Sequence, residues 1–109
     1  MSVTDVSSAT WDELVVRSVT PVVVDVWAPW CIPCKKVEPI IADAAATYGD
    51  RLTCLRLDAD DSPELVARFQ VLGLPTLLLF VDGAEVGRIT GVPRAAKLTE
   101  LIEMIIPPE

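Results

Sequence analysis

The stretch from Val22 to Lys35, which reads VVVDVWAPWCIPCK, constrains the fold more than any other part of the chain. It begins with a nearly continuous apolar run rich in β-branched side chains, which is typical of a strand covered on both faces. Ala28-Pro29 ends this run, because a residue before proline is disfavoured in the helical conformation. Cys31 and Cys34 follow where helical spacing begins, so both thiols are predicted on one helix face, within disulfide distance. The stretch predicts a strand, a tight turn and a site for dithiol–disulfide chemistry.

Two other interpretations of the cysteine pair are weaker. A structural zinc site needs four ligands, and the chain offers only Cys54 besides Cys31 and Cys34, with no histidine. A structural disulfide across so short a loop restricts the unfolded chain little, at the low end of the roughly 2–4 kcal/mol range. Redox chemistry is therefore favoured, and neither a metal nor a cofactor is predicted. Cys54 lies in an apolar strand and is predicted to be a buried core thiol.

Position along the chain predicts which sulfur attacks a substrate. Cys31 is expected at an exposed helix start, where free N–H groups and the helix dipole favour a thiolate. Cys34 lies one turn deeper and is better placed to resolve a mixed disulfide. Between them, Pro33 lacks an N–H and fixes φ, which stiffens the turn. Trp30, next to Cys31, is predicted to cover the site.

Asp25 breaks the apolar pattern of the strand that leads to the cysteines. An ionisable side chain in such a place is a candidate functional group, here a proton acceptor for the buried thiol. The alternative is a strand-end carboxylate that backbone donors satisfy. Arg56, on another predicted strand, is expected near Asp25, and an ordinary surface charge is its alternative.

The remaining periodicities predict elements in the order βαβαβ followed by αββα. Strands are predicted at Val3–Val6, Val22–Trp27, Leu52–Leu57, Thr76–Val81 and Glu85–Thr90, with Asp82-Gly83 as a hairpin turn. Helices are predicted from a Thr10-x-x-Glu13 capping box, from the cysteines to Tyr48, over Glu64–Phe69, and from Pro93 to Pro107-Pro108. Right-handed crossovers make the first strands parallel, and the hairpin adds an antiparallel part. The predicted fold class is α/β, a mixed sheet with helices on both faces, in one domain over residues 1–109.

Composition and charge exclude several classes of function. With 109 residues, of which 51% are hydrophobic, the chain can bury a core and is not expected to be disordered. A net charge of −7 and the lack of a basic cluster argue against binding to nucleic acid or anionic membranes. No secretory signal and no apolar run of membrane-spanning length are found in the sequence, so a cytoplasmic location is expected.

Taken together, these residues resemble the thioredoxin family. The resemblance runs from about Val3 to Ile105 and rests on Asp25, WAPWC-x-PC-K, Leu74-Pro75-Thr76, Asp82-Gly83 and Gly91. It implies a three-layer α/β/α fold with a five-stranded mixed sheet, four flanking helices and a cis Leu74–Pro75 bond. It also implies an apolar docking surface for substrate proteins, made by Trp30, the Val71–Pro75 loop and Gly91-Val92. An extended substrate chain would pair with the backbone near Pro75.

The function that this resemblance implies is the reduction of disulfides in protein substrates. Reduced Cys31 would attack the substrate disulfide, and Cys34 would release the product as a dithiol. Electrons would return through a separate thioredoxin reductase, and we expect the chain to act as a monomer. An oxidase or isomerase of the same fold is disfavoured because no histidine lies between the cysteines. A purely binding subunit is disfavoured because both cysteines are intact.

Two positions depart from the family pattern. Ile32 stands between the cysteines where glycine is usual, and Arg56 stands where lysine is common. We expect both residues to tune the redox potential and the substrate preference without changing the fold or the reaction.

Overall fold

The sheet of this chain is mixed and five-stranded, as the sequence and its resemblance predict. The computed structural model describes residues 2–108. Its strands are β1 (Val3–Val6), β2 (Val22–Trp27), β3 (Thr53–Asp58), β4 (Thr76–Val81) and β5 (Ala84–Thr90). They stand in the order β1-β3-β2-β4-β5, so β2 is central. Strands β1, β3 and β2 run parallel, whereas β4 is antiparallel to both of its neighbours.

Helical segments join the strands in the predicted order. They are a π-helical turn (Asp12–Val16), α1 (Val37–Tyr48), α2 (Pro63–Arg68) and α3 (Ala95–Ile105), with 3-10 turns at Pro33–Lys36 and Gly49–Arg51 on either side of α1. Within residues 2–108, every helix is too short or too polar to cross a membrane.

The predicted capping box at Thr10 is wrong. The hydroxyl of Thr10 accepts the backbone N–H of Ser7 at 3.1 Å, and no side chain caps the π-helical turn that follows. The Thr10 hydroxyl therefore closes the preceding turn of the chain instead of the helix start. The hairpin turn is confirmed, since Asp82 and Gly83 both have positive φ, 52° and 81°, as a two-residue hairpin loop requires.

Two apolar clusters cover the two faces of the sheet. Successive side chains of a strand point to opposite faces, so Val24 and Val26 join one cluster and Val23 joins the other. The cluster of Val23 includes Ile41 of α1 and Ile102 of α3. By the same alternation Asp25 lies on the face that α1 covers. The prediction that β2 is buried on both sides is therefore confirmed.

Candidate active site

Cys31 and Cys34 form a disulfide just beyond the carboxyl end of β2. Their Cα atoms are 5.4 Å apart. Cys34 lies in the 3-10 turn that leads into α1, whereas Cys31 precedes this turn and donates its N–H to the Ala28 carbonyl at 3.0 Å. A small apolar cluster forms here from Ala28 and both cysteines, with Trp27 and Leu74 packed against it.

Cys31 is less exposed than the sequence predicts. The exposed fraction is 4% for Cys31 and 2% for Cys34, so exposure does not distinguish the two residues in this disulfide form. The prediction of an exposed Cys31 is wrong, because the turn from Ala28 and the packing of Leu74 cover it. Exposure in this form therefore gives no reason to prefer either sulfur as the attacking one.

Asp25 is completely buried, with 0% of its surface exposed, in the middle of β2. Its Oδ2 accepts a hydrogen bond from Arg56 Nε at 3.3 Å, because β2 and β3 run parallel with Asp25 and Arg56 in register. Oδ1 has no hydrogen-bond partner among residues 2–108. The carboxylate is thus not satisfied by backbone donors, and the predicted proximity of Arg56 is confirmed.

The protonation of Asp25 reflects opposing influences. Burial raises the pKa of its carboxyl from 3.8 to about 6, although the charge and hydrogen bond of Arg56 lower the pKa and the charge of Glu38 raises it. Burial dominates because it removes water from the charged form of the carboxyl. The carboxyl of Asp25 therefore titrates just below neutral pH, where it can exchange a proton.

Arg56 links the buried carboxylate to the cleft of the cysteines. Its Nη2 lies 3.4 Å from Glu38 Oε1, and its guanidinium carbon lies 4.2 Å from the centre of the Trp27 ring. A cavity of about 60 Å³ is lined by Arg56 and Glu38 together with Cys31 and Cys34. This volume has room for water beside polar groups. The sequence did not single out Glu38, because an acidic residue near the start of a helix is favourable with or without a partner.

Exposed apolar side chains occur just before and between the cysteines, in the loop before β4 and just after β5. The exposed fractions are 66% for Trp30, 76% for Ile32, 97% for Leu72 and 40% for Val92. The Trp30 indole N–H donates to the Asp60 carboxylate at 3.0 Å. Trp30 is thus largely exposed, and its role in covering the site stays a prediction.

The loop before β4 reaches the cysteines through a cis peptide bond. The Leu74–Pro75 bond is cis, as the resemblance implies, and Leu74 packs against the cysteine cluster. The Gly91 N–H donates to the Pro75 carbonyl at 2.8 Å, with Gly91 at a φ of 86° that suits glycine. This bond ties the end of β5 to the cis-proline. The structure thus brings together Leu74, Pro75 and Gly91 in addition to the cysteines.

Comparison with known proteins agrees with this geometry. The family model described as Thioredoxin matches residues 2–104. The chain belongs to the thioredoxin family. Its cysteine pair lies at the position of the family's WCxPC motif, and its mixed sheet with flanking helices is the thioredoxin fold.

Similar proteins come from bacteria and from plants. The thioredoxin of Mycobacterium tuberculosis (strain H37Rv) is 45% identical over 106 residues, which cover 96% of this chain and 89% of the relative. The chloroplastic Thioredoxin M-type of Pisum sativum is 40% identical over 101 residues, covering 93% of this chain and 59% of the relative. Thioredoxin M2 of Arabidopsis thaliana is 37% identical over 102 residues, covering 94% and 55%. The chain therefore spans little more than half the length of these plant thioredoxins.

Proposed function

We propose that the chain is a thiol-disulfide oxidoreductase that reduces disulfides in protein substrates. The observation that carries this proposal is the Cys31–Cys34 disulfide in a member of the thioredoxin family, with Arg56 linking its cavity to the buried Asp25. The reduced Cys31 thiolate attacks one sulfur of the substrate disulfide, forms a mixed disulfide and releases a substrate thiolate. The Cys34 sulfur then attacks Cys31, so the substrate leaves fully reduced and the Cys31–Cys34 bond forms again.

In this proposal Asp25 accepts the proton of Cys34 during the second step. A pKa of about 6 leaves the Asp25 carboxylate mostly ionised at neutral pH and still a useful base. In this proposal water carries the proton through the cavity that Cys34 and Arg56 line toward Asp25, which Arg56 contacts. The same burial that raises the pKa of Asp25 thus makes it suited to proton transfer.

The substrates, electron source and location follow from this chemistry. Proteins with an accessible disulfide are the substrates, and a separate thioredoxin reductase returns electrons to the pair. The chain works as a monomer and needs no bound cofactor, since the two sulfurs carry both electrons. We place the reaction in a reducing compartment such as the cytoplasm, where dithiols persist.

The reaction can be tested by trapping its intermediate. Cys34→Ser should accumulate a mixed disulfide with a protein that has one accessible disulfide, detected as a mass increase equal to the substrate. Cys31→Ser should form no such adduct because it lacks the attacking sulfur. Asp25→Asn should form the adduct normally but resolve it more slowly, with the largest defect near neutral pH. An adduct on Cys31→Ser, or a native chain that leaves the substrate oxidised, would contradict the proposal.

We also propose that Trp30, Ile32, Leu72 and Val92 form the docking surface for the substrate chain. Their exposure supports this role, as does the packing of Leu74 from the same loop against the cysteines. Pro75 and Gly91 hold this loop in place through their backbone hydrogen bond. Ile32 adds apolar area between the two cysteines.

Leu72→Ser provides a test of this surface. It should raise KM for a protein disulfide several-fold and leave the rate with a small soluble disulfide unchanged. Val19→Ser is the matched control, because Val19 is 99% exposed but precedes β2, at the end of the strand opposite the cysteines. Equal KM values for the two variants would show that Leu72 has no role in docking.

A further inference from the structure

The two nitrogen atoms on one edge of the Arg56 guanidinium, Nε and Nη2, contact two different carboxylates. The Nε and Nη2 atoms of a guanidinium lie on one edge and can bind both oxygens of one carboxylate. In this chain Nε donates to Asp25 Oδ2 at 3.3 Å, but Nη2 lies 3.4 Å from Glu38 Oε1. Asp25 Oδ1, which Nη2 could have reached in a forked pair, is left without a hydrogen-bond partner in the described chain.

Arg88 shows what the undivided arrangement looks like in the same molecule. Its Nε donates to Glu85 Oε2 at 2.6 Å and its Nη2 donates to Glu85 Oε1 at 2.7 Å. Both oxygens of Glu85 thus bind Nε and Nη2 of one guanidinium. In Arg56 the corresponding two atoms contact different carboxylates. The contacts of Arg56 are longer, at 3.3 and 3.4 Å, as expected for a guanidinium held between two anions.

We propose that Glu38 is a positioning residue that holds Arg56 away from a forked contact with Asp25 and thereby sets the pH at which Asp25 exchanges its proton. This inference rests on the proposed function, because the proton that matters is the one Asp25 takes from Cys34. Glu38 is suited to the role because its side chain is 53% exposed at the cleft, whereas that of Arg56 is 20% exposed. The side chain of Glu38 therefore connects the buried pair to the cavity that Cys31 and Cys34 line.

Other charges border the same groups. On the α1 side, Lys35 lines the cavity with Glu38 and both cysteines. On the β1 side, Arg56 lines a second cavity, of about 310 Å³, with Asp5, Asp58 and Asp61. Glu38 differs from these three aspartates in forming a described ion pair with Arg56. Its charge also raises the pKa of Asp25 directly, because two negative charges repel each other.

The test is an NMR titration of the Asp25 carboxyl carbon in the reduced and oxidised protein. In Glu38→Ala the pKa of Asp25 should fall by about half a unit or more, because the direct repulsion is lost and the full edge of Arg56 becomes available to Asp25. In an Arg56→Ala background, where only the repulsion is lost, the same substitution should lower the pKa less, and an equal fall in both backgrounds would overturn the positioning role. Asp43→Ala is the control: Asp43 is exposed on the same helix, and its loss changes the net charge equally. The Asp25 titration in Asp43→Ala should match the native chain.

The pH profile of mixed-disulfide resolution gives a second readout. Its acid limb should move to lower pH in Glu38→Ala and stay in place in Asp43→Ala. An Asp25 titration that is the same in both variants would overturn the role of Glu38 while leaving the reductase proposal intact. Conversely, the titration needs no substrate, so a chain without reductase activity could still show the effect of Glu38 on Asp25.

Discussion

At the residue scale, the three cysteines differ in their surroundings rather than in exposure. Cys54 is buried in β3 at 3% exposure, and burial raises the pKa of its thiol to about 11. Cys34 lies within the 3-10 turn, whereas Cys31 precedes it, where the free N–H groups of a helix start favour a thiolate. We therefore expect Cys31 to be the most acidic thiol of the reduced chain.

This order can be measured with iodoacetamide at neutral pH. Cys31 should be alkylated first, and Cys54 should stay unmodified while the chain is folded. In denaturant all three cysteines should react at similar rates, which serves as the control. Adducts found mainly on Cys34 or Cys54 of the folded protein would reverse the assignment of Cys31 as the attacking sulfur.

The sequence predicts some residues of the site better than others. Asp25 is identifiable because it interrupts an apolar run, and the cysteines because they come directly after that run. The place of Arg56 near Asp25 is predicted because the two residues lie on strands of the same sheet. Glu38 and Asp60 are not identifiable, because their contacts with Arg56 and Trp30 join elements that are distant in sequence. The prediction that Cys31 is exposed is wrong for a similar reason, because Leu74, which packs against the cysteines, comes from a loop distant in sequence.

At the element scale, Arg88 connects the edge strand β5 to the end of α2. Its Nη2 donates to the Phe69 carbonyl at 2.8 Å and its Nη1 to the Gln70 carbonyl at 3.4 Å. Gln70 has a positive φ of 52°, so the chain turns sharply there before the loop from Val71 to Pro75. Glu85 fixes the guanidinium of Arg88 from the strand side. The pair therefore holds the start of the loop that we propose for docking.

Arg88→Ala should loosen this loop. The amide of Val71, which bonds the Val66 carbonyl at 3.0 Å, should exchange faster with solvent, and the free energy of unfolding should fall by about 1 kcal/mol. Lys97→Ala is the control, since its 3.7 Å contact with Glu100 is an exposed pair within one helix. Unchanged exchange at Val71 would mean that the loop is held by its own packing.

The bounds of helices and strands can be predicted from the sequence where a periodic pattern ends at a glycine, a proline or a turn motif. The strands β1, β2 and β4 have the predicted bounds, and α1 ends before Gly49 as predicted. The π-helical turn was not predicted, because its width depends on a hydrogen bond from the Arg17 N–H to the Asp12 carbonyl rather than on apolar spacing. Such choices between helix types depend on packing against the sheet.

At the scale of the whole molecule, burial of Asp25 links stability to pH. The native carboxyl has a pKa of about 6, compared with 3.8 for the free group, so the native chain binds this proton more tightly than the unfolded chain. The contribution of this group to the free energy of unfolding is therefore fully present below a pH of about 4, where the carboxyl is protonated in both states. It is lost as the pH rises through the native pKa. A shift of about 2 units corresponds to about 3 kcal/mol, which is an upper limit for this loss.

Asp25→Asn should remove this dependence, because an amide has no charge to bury. The oxidised variant should be more stable than the native chain at pH 8, by up to about 3 kcal/mol, and the difference should nearly vanish at pH 4, where Asp25 is protonated. Urea unfolding of both proteins at the two pH values measures it. Asp43→Asn, at an exposed position, should show no such pH-dependent difference. If Asp25→Asn is no more stable than the native chain at pH 8, then Arg56 compensates the buried charge fully, and the pKa of Asp25 must lie well below 6.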